Sequence, residues 1–84
     1  MNALQEARRL YSEYRFALSI PNAPLGDKKD LFAKQFAMRE VESMIGENES
    51  IFEMAKLHMD ERAMVVLGAR VSFLRDVIKE IQKL

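Results

Sequence analysis

The single histidine of this 84-residue chain, His58, stands in KLHMDER, with Glu61 three residues after it and Glu53 five before. Histidine and glutamate at i, i+3 share a helix face, and two such units brought together across a dimer would surround a metal ion. One unit per chain is half of that set, so His58 reads as a helix-surface histidine among carboxylates, with no metal and no cofactor assigned. Adjacent acids such as Asp60 and Glu61 do not face each other on a helix, which removes paired-carboxylate chemistry. The stretch GENESIFE lacks the alternating oxygen ligands of a calcium loop. The chain has no cysteine, hence no thiolate nucleophile or ligand, and neither a Walker loop, a GxGxxG turn nor a nucleophile elbow occurs. The chain therefore reads as a non-enzyme.

Phosphate binding is the other chemistry the residues suggest. Arg8 and Arg15 flank Tyr11 in RRLYSEYR, and Lys28, Lys29 and Lys34 follow in GDKKDLFAK, a mixture able to hold phosphates and stack a base. Thirteen basic and thirteen acidic residues cancel overall. Residues 1–39 carry seven Lys/Arg against four Asp/Glu (+3), residues 40–61 one against seven (−6), and residues 62–84 five against two (+3). An acidic middle between the basic parts works against a polyanion, so weak nucleic-acid binding is kept as an alternative only.

The elements that must position these residues are helical. A chain of this length, 49% hydrophobic and 31% charged, fits one folded domain over residues 1–84 with a thin core. MNALQEARRL is charged by residue 6, so no secretory leader is expected, and no apolar run reaches the roughly 20 residues of a membrane span; a cytoplasmic, reducing setting is expected. Apolar residues from Ala3 to Leu18 recur at helical spacing and predict a first helix over about 3–18, with Phe16 off the stripe and expected to fold under the following loop. SIPNAPLGD predicts a loop over 19–27, closed by Asp27 as a helix cap. A second helix is expected over 28–45, ended by Gly46, with a turn at 46–49. Ser50 and Glu53 have capping-box spacing and would open a third helix over about 50–83. The apolar side rotates near Asp60, which would cap a separate fourth helix if the chain breaks there. The expected fold is an all-α antiparallel bundle of three helices, or four.

The stretch RAMVVLGARVSFLR, residues 62–75, carries the functional expectation. Met64, Leu67, Val71, Leu74, Ile78 and Ile81 form a coiled-coil-like a/d seam, while Val65, Gly68, Ala69 and Ser72 make a small-residue side where a second backbone can approach. A helix apolar all round is buried all round, and two short helices cannot enclose a long one. A second copy of the chain is the expected cover, making the protein a homodimer, with a different protein as the alternative partner. Arg70 stands within the run and is expected to pair with Glu13, Glu40 or Glu42, to snorkel to water, or to recognise a carboxylate or phosphate on a partner. The expected function is a self-associating protein–protein interaction module acting as a regulator, adaptor, assembly chaperone or inhibitor; a purely structural assembly subunit is the competing class.

Overall fold

The computed structural model describes residues 2–19 and 28–84, which form three helices: α1 (Ala3–Ala17), α2 (Lys29–Leu57) and α3 (Glu61–Lys83). The all-α expectation holds. The helix stop at Ile20–Pro21 and the Asp27 cap fall outside the described residues.

Helix α1 begins where its apolar stripe begins, fixed by a reciprocal cap. The Gln5 N–H donates to Asn2 Oδ1 at 2.8 Å and the Asn2 N–H donates to Gln5 Oε1 at 3.0 Å. Two of the amides that a helix start leaves without partners are thereby satisfied. The stripe buries Ala7 and Leu10, and Phe16 remains on the water side, 80% exposed, rather than tucked away.

The helix boundaries in the second half of the chain depart from the expected ones. Helix α2 runs without interruption through Gly46 and Ser50, for 29 residues or about 43 Å. The expected turn at 46–49 is absent, and Ser50 and Glu53 lie inside the helix. The reason is a buried seam that crosses the supposed boundary: Ala33, Ala37 and Val41 are fully buried, and the same line continues through part-buried Met44, Asn48 and Phe52 to Ala55. The one polar member is accommodated locally, since Asn48 Nδ2 donates to the Met44 carbonyl at 2.7 Å. A mid-helix glycine costs only about 1 kcal/mol, which a continuous packed seam outweighs.

The break falls at residues 58–60 instead. Met59 takes the left-handed backbone conformation, φ 55°. The Asp60 N–H reaches back to the Ala55 carbonyl at 2.9 Å and the Met59 N–H to the Lys56 carbonyl at 3.2 Å, the two bonds of a Schellman ending. Asp60 then caps α3, its Oδ1 accepting from the Ala63 N–H at 3.0 Å. The alternative break near Asp60 therefore exists, but with the 46–49 turn gone it leaves three helices among the described residues. The longest helix is α2, not the C-terminal one.

Helices α2 and α3 form a hairpin on which α1 lies antiparallel to α2. Tyr11 and Arg15 meet Asp30 near the start of α2, Tyr14 stacks on Phe36 with ring centroids 5.8 Å apart, and Leu10 shares a cleft with Val41 and Met44. The main core joins Ala7 and Leu10 of α1, Ala37 and Val41 of α2, and Leu74, Val77 and Ile81 of α3. At about 22 Å, α1 spans roughly half of the hairpin and covers the half remote from the turn. Among the described residues the turn half is a two-helix structure.

Candidate interaction surface

The structure divides the apolar run of α3 into a face used within the chain and a face left open. Val71, Leu74 and Ile81 are buried against the chain's own helices, and Met64, Leu67 and Ile78 are half-buried. The a/d seam is thus consumed by α1 and α2 and does not present an outer surface. Val65, Gly68, Ala69, Arg70 and Ser72, by contrast, are exposed. A side chain built onto Gly68 would meet nothing within 4 Å.

Sequence reasoning missed part of the open surface. Of the ten large apolar side chains that remain exposed among the described residues, six lie between residues 51 and 66, which locates the uncovered area at the turn half of the hairpin: Ile51, Met54, Leu57, Met59, Val65 and Val66. Met54 lies five full turns from Phe36, the partner of Tyr14, and Val66 about two turns from Phe73, which lines the Leu10 cleft. The trough that seats α1 therefore continues past Asn2 toward the turn, lined by apolar residues with no helix upon them. The signal was available: Ile51 and Met54 extend the same line as Phe36 once Gly46 is not taken as a helix end.

Arg70 does not make the expected ion pair. No carboxylate among the described residues lies within 4 Å of it, Glu13, Glu40 and Glu42 included, and it is exposed. Its position explains this. Residue 70 sits where α1 begins, at the mouth of a cleft of about 480 Å³ floored by Leu10, Val41, Phe73 and Leu74, and its guanidinium extends to water.

On the opposite side of the hairpin from α1 lies a second groove, of about 430 Å³, between α2 and α3. Its floor is Phe52 and Val71, Gly68 and Ser72 keep it open, and its rims are charged. Glu49 and Glu53 stand on the α2 rim, Arg75, Asp76 and Lys79 on the α3 rim, and Arg75 Nη2 reaches Glu49 Oε1 at 3.2 Å. Both partners of that bridge are more than half exposed, so it contributes little stability and its charges remain available to a neighbour.

The residues of the phosphate-binding alternative are partly engaged elsewhere. Tyr11 Oη donates to Asp30 Oδ1 at 2.7 Å, and Arg15 Nε meets the same oxygen at 2.7 Å. The hydrogen bond to Asp30 holds the Tyr11 phenol above its ordinary value, and the same bond, with Arg15 adding to it, holds the Asp30 carboxyl below its own. Tyr14 is raised by burial first and by Glu40 second. Arg8 and Lys28 are exposed, and Lys29 and Lys34 half-exposed. Arg9 bridges Glu6 and Glu13 on the outer face of α1, and the Glu6 contact keeps its guanidinium charged at any working pH. His58 is the last cap residue of α2 while Glu61 opens α3, so the shared helix face of a His-x-x-Glu unit does not form.

The fold and surface thus define an all-α protein of three helices, and no helix among the described residues is long and apolar enough to cross a membrane. The sequence matches no protein-family model, and comparison with curated proteins and with solved structures finds no similar chain.

Proposed function

We propose that this chain is a protein–protein interaction module that self-associates through the half of the α2–α3 hairpin that α1 does not cover. One observation carries the reading: Leu57 and Val65, on the two helices beside the turn, are 82% and 72% exposed, inside a concentration of uncovered apolar residues that single-chain packing leaves unexplained. A second copy is the economical cover because a twofold pair buries the same patch twice.

The size of the uncovered half sets the strength. Twelve residues of α2 beyond Ile45 extend about 18 Å, and the molecule is 21 Å wide, so the projected face is on the order of 400 Å². Two such faces bury roughly 800 Å² in total, below the about 1,000 Å² of a stable specific interface, and correspond to a weak, transient pair. Such a module suits a regulator, adaptor or assembly factor, whose partner exchange requires weak contacts.

Sedimentation equilibrium from micromolar to millimolar concentration tests the reading. The wild-type chain is expected to pass from monomer to dimer, and the Leu57→Glu, Val65→Glu variant to remain monomeric with unchanged helical circular dichroism. A wild-type chain that stays monomeric throughout refutes it.

A further inference from the structure

We propose that the two copies meet through the groove on the side away from α1, with the acidic α2 rim of each copy laid over the basic α3 rim of the other. This rests on the self-association reading and adds which faces touch and how they are registered.

The argument begins with exclusion. On the opposite side α1 stands proud of the hairpin and blocks two copies from lying flat together, whereas on the groove side no helix among the described residues lies above α2 and α3. Next comes charge. Glu49 and Glu53 lie one turn apart on α2, and Arg75 and Lys79 lie one turn apart on α3 with Asp76 beside Arg75, so the α2 rim is doubly acidic and the α3 rim net basic. A twofold axis running along the hairpin places α2 over the partner's α3 and α3 over the partner's α2. Both rims then face opposite charge, whereas an axis across the hairpin sets acid on acid and base on base. The in-chain Glu49–Arg75 bridge shows that these residues stand at the same level along the hairpin, so the same pair falls in register between copies. Finally, the groove is able to close: the open space beside Gly68 and the small Ser72 let the partner's helix approach, covering Phe52.

The test uses two full-length variants with rims of one net sign. One carries Glu49→Lys and Glu53→Lys, the other Arg75→Glu and Lys79→Glu; all four residues are exposed, so both variants keep the fold. Each alone is expected to self-associate at least about tenfold more weakly than wild type at low salt, and an equimolar mixture to recover a dimer by sedimentation or native mass measurement. Variants that pair as well as wild type, or a mixture that stays monomeric, overturn the arrangement while leaving self-association standing. A monomeric wild type removes both. Helical circular dichroism of each variant separates a lost interface from a lost fold.

Discussion

Replacing Gly46 by alanine distinguishes the two ways of reading the middle of this chain, because they predict opposite signs. If Gly46 ended a helix in the left-handed conformation, a β-carbon there would destabilise the fold by about 1–2 kcal/mol. In the structure Gly46 lies within α2, is exposed, and a β-carbon would meet nothing within 4 Å. Alanine then removes backbone freedom from the unfolded chain and introduces no clash, for a gain of about 0.5–1 kcal/mol. For a domain of this size that raises Tm by roughly 2–8 °C. The mirror substitution is Met59→Gly, since Met59 holds φ 55° with its side chain 86% exposed, so relief of backbone strain is offset by almost no lost packing. A gain of about 1 kcal/mol is expected. The sites are 13 residues apart along the helix and share no partner, so the gains should add within a few tenths of a kcal/mol. Urea and thermal unfolding of both single variants and the double variant provide the measurement. Loss of stability in Gly46→Ala would refute a continuous α2 and restore the turn at 46–49.

Three further outcomes follow from the same geometry. Asp60→Ala removes the cap bond to Ala63 and should cost about 1 kcal/mol, whereas Ser50→Ala, inside a helix, should be neutral or slightly stabilising; equal losses by urea unfolding would contradict the position of the break. Leu74→Ala, at the centre of the core, should lose about 2–5 kcal/mol, a large fraction of what so small a domain possesses, with calorimetry as the readout. The Tyr11–Asp30 contact should give the stability profile two shoulders. Asp30 is held below its ordinary value, so its contribution is full above about pH 4 and fades as pH falls through the folded-state value; Tyr11 is held above its own, so its contribution is full below about pH 10 and fades as pH rises through the folded-state value. Tyr11→Phe should flatten both shoulders in Tm measured against pH, and an unchanged profile would count against the contact.

How far the sequence was legible depended on how local each signal was. The apolar stripe of α1 and the a/d seam of α3 repeat at helical spacing without interruption, and both marked the residues that are buried: Ala7, Leu10, Val71, Leu74 and Ile81. The helix ends were read from single residues, and there two signals misled. Gly46 and the Ser50–Glu53 spacing are typical of helix boundaries, yet both are also tolerated within a helix whose buried line is continuous, and that line was hidden because Asn48 interrupts its apolar character. At the true boundary the left-handed position is filled by methionine, which carries no such signature. Arg70 was left open between an ion pair and water for a related reason: its position on the wheel pointed inward, but whether an inward position is covered depends on where α1 starts, which is a fact of tertiary packing.

The exposed half of the hairpin follows from helix lengths. A 15-residue helix laid on a 29-residue one leaves nearly half of the longer partner uncovered, whichever end it favours. It favours the end where its own loop returns the chain, so the turn half of the hairpin is the half left in water. The residues there are not those of an ordinary solvated surface. Leu57, Val65 and Val66 are exposed apolar side chains, and along the groove on the far side from α1 the α2 rim carries Glu49 and Glu53 while the α3 rim carries Arg75 and Lys79 with Asp76 beside them. Rims of opposite net charge become favourable when something of opposite arrangement lies upon them, and the same hairpin turned about its own axis has that arrangement.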